Sequence, residues 1–332
     1  MGVRRTIKRS VGYDFTPIGV AFSEFITEKE VKNLAQSTIN NYKISYELFM
    51  RFNGFDETIN PNEIELECFF KWMHTMKLEG VRHTSINHYL RDCRCFFYWC
   101  MDADRRYIEI PYKIPMMKGQ EEKFKMFSDD EIELLLVKPS RNASFVDWRT
   151  WAIINWVLAT GNRAATICEV KLGDIDYSHK EITLRHTKNR KAQVLPLSSS
   201  LATVLKEYVK MWRTTKDEYG ARTTKDDYLF CDISQQQMTT NALKHSFYRY
   251  CYNRRVEHTN IHGLRHNFAK LWITNNGSMA KLQRILGHSS LEMTRRYVKL
   301  FGEDLKDDFD KFSPLDTIKR SSKRTQSINR EY

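Results

Sequence analysis

The sequence predicts a mostly α-helical chain of two domains, with a small antiparallel β-sheet confined to the second. Three observations carry this expectation. Apolar residues recur at steps of three and four over most of the 332 positions, the period of helices buried on one face. Residues 105–126 (RRYIEIPYKIPMMKGQEEKFKM) break that rhythm with Pro111 and Pro115 and no sustained period, which marks a linker between two cores. Ile, Thr, Val and Leu cluster between turn residues at 175–197, where strands are expected.

Taken in order, residues 1–16 read as a basic leader, and residues 17–104 as a compact domain of four helices. A first helix starts at Ile18 and runs through Val20, Phe22, Phe25 and Ile26 towards Leu34. Ser37 reads as the N-cap of a second, whose stripe is Ile39, Tyr42, Tyr46, Phe49 and Phe52. A third is expected from about Asn62 to Met76, and a fourth from near Thr84, with Ile86, Leu90, Cys93 and Phe97 on one face. Between these stripes Lys43, Arg82, His83, Asn87, His88, Arg91 and Arg94 are candidates for phosphate contact, although each alone is ordinary solvated surface.

The second domain is expected at 127–312. Ser128 and Glu131 form a capping box, with Phe127 placed to staple onto Ile132. Trp151, Ile154 and Leu158 define a helix that ends where Gly161 supplies a left-handed C′ position. Strands follow at Ile175, at Glu181 to Arg185 and at Gln193 to Leu197, with Lys188, Asn189, Arg190 and Lys191 at the hairpin tip. Helices resume at Ser200 to Trp212 and Asn241 to Asn253, either side of a polar excursion at 213–226. Ser278 caps a helix that stops at Gly287, and Ser289 with Glu292 forms a second capping box. Leu305, Phe309 and Phe312 share a face of a small amphipathic helix, and residues 313–332 read as a disordered basic tail.

A net charge of +12 points to a polyanion, and nucleic acid fits it better than a membrane surface because no strongly amphipathic basic helix stands out. No apolar run approaches the roughly 20 residues that span a bilayer, and the basic start lacks the apolar core of a secretory signal. A cytoplasmic protein acting on DNA is expected. The seven cysteines are scattered; Cys93, Cys95 and Cys100 have no paired CxxC spacing. His258, His262 and His266 stand at four-residue steps and imitate a metal triad, but there is no HExxH and Gly263 inside the run weakens the case for one continuous helix there, so no metal is expected.

Residues 258–300 hold the densest chemistry. His262 and Arg265 stand three apart, and His288 and Tyr297 nine apart, with a helix-length segment between the pairs. A phenol beside imidazoles and a guanidinium suits phosphoryl transfer through tyrosine, since cations and donors can hold the charge that develops on non-bridging oxygens. The bland alternative is a solvated helix face with one packed tyrosine.

Four blocks together decide between these readings. TGNRAATICEVKLGDID (160–176), HTKNRKAQVLPL (186–197), HGLRH (262–266) and LGHSSLEMTRRY (286–297) resemble, in order and spacing, the catalytic domain of the tyrosine recombinases, the phage-integrase family. FSEFITEKEVKNLAQSTINNYKISYELFMRF is similar to that family's core-binding domain, and the likeness covers roughly residues 18–312. The resemblance implies a two-domain DNA clamp. It implies that Arg163 and Arg265 grip the scissile phosphate, as two-pronged guanidinium groups can. It further implies that Lys188 protonates the leaving 5′-oxygen, with His262 an acid/base partner, His288 a donor, and Tyr297 the nucleophile that makes a 3′-phosphotyrosine. Bond energy is kept in the covalent link, so neither ATP nor a metal cofactor is expected, and no GxxxxGK[ST] occurs.

Three departures or ambiguities accompany the resemblance. Thr166 stands where the family usually has an acid three residues after its first arginine, and Glu169 follows three further on. Lys191 competes with Lys188 as the acid, while Arg190, Lys191 and Arg295 read as DNA contacts rather than catalysts. The expected partners are duplex DNA with inverted-repeat core sites, further copies of the chain in a tetramer on that DNA, and accessory DNA-bending or directionality proteins. About 16 residues precede the first helix, too few for an arm-site domain, which favours integration or transposition of a mobile element over dimer resolution. A DNA-binding accessory protein without activity and a type IB topoisomerase are the readings from other classes.

Overall fold

The structure, a computed structural model, describes residues 15–119, 125–185, 192–213, 223–288 and 290–301. The chain divides into two compact units, Met1–Glu122 and Lys123–Tyr332, each with its own core. No described helix is long and apolar enough to cross a membrane.

In the first unit the expected helical stripes become α1 (Ile18–Val31), α2 (Gln36–Asn53), α3 (Leu66–Leu78) and α4 (His83–Cys100). Their aromatic positions interlock: the Phe22 ring stacks on Tyr46 at 3.8 Å, and Phe49 lies 4.5 Å from Phe69. Two starts differ from the sequence reading. Helix α2 is entered from Ala35, not Ser37, and Gln36 in its first turn donates a hydrogen bond from Nε2 to Asn40 Oδ1 at 3.1 Å. Residues Pro61–Glu63 form a separate 3₁₀ turn, capped by Asn60 accepting from the Asn62 N–H, and α3 begins only at Leu66. Residues beyond α4 stay with this unit as far as 119. Ile108 and Ile114 are buried in its core, Tyr112 Oη donates to the Ile64 carbonyl at 2.7 Å, and the Asn87 carboxamide holds both the N–H and the carbonyl of Met117 at 2.9 Å.

The second unit is built around one helix. The Ser128/Glu131 capping box starts α5 (Asp129–Leu136), with Phe127 and Ile132 both buried in the core beside it. Helix α6 (Phe145–Thr160) is apolar on every side and buries Trp148, Ile154, Trp156 and Val157, as a helix must when neighbours cover all its faces. Those neighbours are α5, α8 (Ser199–Trp212), α9 (Thr240–Asn253) and α10 (Ile261–Thr274). The short helix α7 (Ala164–Ile167) follows α6, and α11 (Met279–Leu286) and α12 (Leu291–Phe301) follow α10. The sheet is antiparallel in the order β1 (Ile175–Asp176), β2 (Glu181–Leu184), β3 (Gln193–Pro196), with Ile182 paired to both Ile175 and Leu195. This is the predicted class: mostly α, with a small antiparallel sheet in the second unit.

Helix α10 corrects one expectation, for Gly263 does not interrupt it. A Cβ at this position would sit 2.9 Å from both the Lys125 carbonyl and the Phe127 ring, so the glycine is there to let that segment approach. Asn267, one turn on, fixes the same segment by exchanging hydrogen bonds with the N–H and carbonyl of Phe127. The hairpin tip at 186–191, residues 214–222 of the polar excursion, Ser289 of the second capping box, and the helix and tail expected beyond 301 lie outside the described residues.

Candidate active site

The end of α6 sets the first wall of the site. Gly161 closes the helix at φ 63°, and a side chain there would meet Phe268 and Leu286 within 3 Å. The next residue is anchored by the Trp156 indole N–H, which donates to Asn162 Oδ1 at 2.9 Å. Arg163 therefore leaves a rigid corner, as the residue entering α7. Its side chain is half-buried and has no hydrogen-bond or ion-pair partner among the described residues. Burial lowers its pKa, opposed by attraction to Tyr297.

Helix α10 supplies the second wall. Positions 262, 265 and 266 lie three and four residues apart and share one helical face. Arg265, 2% exposed, donates to the Gly161 carbonyl at 2.6 Å, to the Leu286 carbonyl at 3.0 Å and to His288 Nε2 at 2.9 Å. It thereby ties the ends of α6 and α11 together, and the Tyr297 phenol interacts electrostatically with the same guanidinium. Burial, reinforced by repulsion from Arg163, pulls the Arg265 pKa down to about 10, which leaves it charged at neutral pH.

The state of His288 follows from its partners. A guanidinium can only donate, so the Arg265 bond requires a lone pair on Nε2, and Nδ1 then carries the hydrogen, directed at Thr294 Oγ1 2.9 Å away. That neutral tautomer agrees with a pKa held down to about 4 by burial and by both arginines. His262 is likewise lowered to about 4: over a third of it is open to solvent, yet desolvation by the surrounding protein and the charges of Arg265 and Arg163 disfavour its cation.

Tyr297, on α12, is 4% exposed. Its ring lies parallel to His288 at 6.2 Å, and His266 Nδ1 is 2.8 Å from its oxygen. The site is thus two guanidinium groups and neutral imidazoles around one phenol, with no carboxylate paired to either arginine among the described residues. Such a set can bind a phosphate diester and carry the extra charge of its transition state.

Of the residues singled out from the sequence, Arg163, His262, Arg265, His288 and Tyr297 come together here. Lys188, Arg190 and Lys191 lie outside the described residues. Thr166 and Glu169 sit on and just after α7 without an ion pair to Arg163. Arg295 is exposed and 3.7 Å from Glu292. In the first unit His83, Asn87, Arg91 and Arg94 follow one another along α4 at steps of four, four and three, and Arg94 stacks on Tyr98. Arg82 precedes that helix and Lys43 lies on α2. Two site residues were not singled out for catalysis: Thr294, fully buried behind His288, and His266, whose signal was its place four residues after His262. His258 does not share this face: it precedes α10, and its Nδ1 lies 3.0 Å from Glu131 Oε1.

A family model described as the phage integrase family matches residues 125–303. The tyrosine recombinase XerD of Listeria innocua is 24% identical over 289 residues, 85% of this chain and 94% of that one. A probable integrase/recombinase of Acholeplasma phage L2 is 27% identical over 188 residues, 56% of this chain and 61% of its own. Among solved structures, the Tn1549 transposon integrase in complex with transposon right end DNA superposes with a TM-score of 0.68 at 19% identity, covering 92% of this chain and 99% of that one. A lambda integrase dimer bound to a COC′ core site gives 0.63 at 14% identity, covering 83% and 97%. At these identities the structural likeness establishes the fold.

Proposed function

Because the chain belongs to the phage integrase family, the tyrosine recombinases, we propose that it cuts and rejoins duplex DNA at specific sites through a 3′-phosphotyrosine at Tyr297. The observation that carries this reading is the pairing of two carboxylate-free guanidinium groups, one of them wholly buried, beside a single phenol. Keeping like charges close and unneutralised is costly, and a bound phosphate repays that cost.

Arg163 and Arg265 hold the two non-bridging oxygens. His288, neutral at pH 7, holds Arg265 in place through its Nε2 lone pair, and His262, also neutral there, can donate to the phosphate without adding charge. Tyr297 attacks phosphorus, and Lys188 protonates the departing 5′-oxygen. A 5′-hydroxyl from a second duplex then reverses the step, so no metal or nucleotide is consumed. The basic stripe on α4, with Lys43 and Arg82, follows the DNA backbone, and Arg190, Lys191 and Arg295 add contacts near the cut. Inverted-repeat core sites and a tetramer on DNA complete the reading, with accessory DNA-bending or directionality proteins as further partners.

Integration or transposition of a mobile element is the role favoured by the likeness to a transposon integrase and a phage integrase/recombinase. The second reading is resolution of chromosome or plasmid dimers, favoured by the near full-length match to a recombinase named XerD. The test is to trap covalent complexes on a randomised library of nicked duplexes, then sequence the linked DNA, with Tyr297→Phe alongside. Linkage that needs Tyr297 and shares an inverted-repeat consensus supports the proposal. Tight, salt-sensitive binding with no linkage would mean an accessory protein.

A further inference from the structure

The reaction above leaves one proton without a destination. Tyr297 Oη must shed its hydrogen as it attacks phosphorus, while Lys188 serves the oxygen on the far side. Around the phenol, Arg163 and Arg265 only donate. His288 has its Nε2 lone pair engaged by Arg265 and turns its Nδ1 hydrogen to Thr294. His262 meets the ring of His266, edge to face with centroids 4.7 Å apart.

His266 Nδ1, by contrast, stands 2.8 Å from Tyr297 Oη. In the tautomer that leaves Nδ1 unprotonated, this nitrogen accepts the phenol's hydrogen. An imidazole nitrogen that accepts from the attacking atom already has the geometry of a general base. We propose that His266 is the catalytic base for Tyr297, an assignment that rests on reading Tyr297 as the nucleophile.

The step balances. The Tyr297 O–H bond breaks and its proton moves to His266 Nδ1, giving an imidazolium. The O–P bond forms as the P–O5′ bond breaks, and the leaving oxygen takes its proton from Lys188. On rejoining, the incoming 5′-hydroxyl returns a proton to Lys188, and His266 gives its own back to the tyrosine oxygen. Helix α10 thus serves both ends of the attack, with Arg265 on the phosphate and His266 one residue on against the nucleophile.

The test uses the full chain on duplexes recovered with the wild-type protein. If no duplex links in a Tyr297-dependent way, the functional reading fails in that wild-type arm, before His266 is touched. Given linkage, single-turnover rates are compared for the wild type, His266→Asn and His266→Ala. Asparagine can still accept the phenol hydrogen bond but cannot take up the proton. We expect His266→Asn to bind DNA as the wild type does and to link about 10²-fold more slowly, within the usual range for losing an acid or base. Installing 3,5-difluorotyrosine at position 297, an easily ionised phenol, then narrows that gap at least about tenfold, and added imidazole speeds His266→Ala in proportion to its concentration. A wild-type rate in His266→Asn, or a defect that neither the fluorinated phenol nor imidazole reduces, would overturn the proposal and leave His266 as packing.

Discussion

Two arginines of the second unit, Arg149 and Arg265, are equally hidden, at 3% and 2% exposed, yet they do opposite things. Arg149, on α6, donates to the Cys231 carbonyl at 2.6 Å and to Ser246 Oγ at 3.0 Å, lies over the Phe145 ring, and leaves its Nε without a partner. Only burial lowers its pKa; the neighbouring groups all oppose that. Arg265 is also bound by carbonyls, but it shares its space with a second guanidinium, two neutral imidazoles and a phenol. Burying a cation is therefore no mark of a site. A second cation, held nearby and left unneutralised, is.

The comparison can be broken by exchanging the two outcomes. Arg265→Lys keeps the charge but loses the planar fork, and an ammonium cannot hold Gly161, Leu286 and His288 while also reaching a phosphate. Covalent linkage should fall by about 10²–10³, as for loss of one preorganised donor, measured as single-turnover trapping. Arg149→Ala should do the reverse. It strands the Cys231 carbonyl and costs about 1–3 kcal/mol in a urea titration, while the folded fraction links DNA at the wild-type rate. An Arg149→Ala protein that folds normally but links slowly would end the distinction.

The same pair shows what a sequence can and cannot carry. Arg265 was legible because HGLRH puts it in a block with its own spacing, and α10 turns that spacing into one face. Arg149 had no such signal, since its partners are 82 and 97 residues away. Asn87 was read as a polar position that could face phosphate, but both ends of its amide are engaged by Met117, 30 residues on, where helical periodicity is blind. Gly263 was read through its propensity, a penalty of about 1 kcal/mol; the approach of Lys125 and Phe127 outweighs that and is a tertiary fact. His266 sat in plain view beside Arg265, but a second histidine in a block acquires meaning only when the chain brings back a phenol from 31 residues away. The helical class, by contrast, follows from stripes that each lie within a few turns of sequence.

Acid should separate the two centres again, more gently. His288 and His262 have folded pKa values near 4, below the ordinary imidazole range. Between about 6.5 and 4 the unfolded chain binds protons that the folded chain refuses, so stability falls as pH drops through that window and levels off below it. Thermal unfolding followed across that range should show the slope, and His288→Asn should flatten it. Arg149→Ala should leave the slope unchanged, because Arg149 does not titrate there.

The smallest expected effect tests how the site keeps its imidazole neutral and aimed. Thr294→Val removes the acceptor for His288 Nδ1–H at nearly constant volume, in a position with no access to solvent. The ring then has two choices. It can bury an unpaired N–H, or it can move the hydrogen to Nε2, where it would face the Arg265 N–H donor 2.9 Å away. Either outcome loosens Arg265 as well as His288, at a cost of about 1 kcal/mol, or roughly fivefold in linkage rate. Nothing comparable surrounds Arg149, whose nearest hydroxyl, Ser246, donates its own hydrogen to the Ala242 carbonyl and so accepts from the guanidinium. Ser246→Ala should therefore lower stability without slowing linkage. If Thr294→Val behaves like Ser246→Ala, the hydroxyl behind His288 is packing, and the neutral imidazole is held by burial and the two arginines alone.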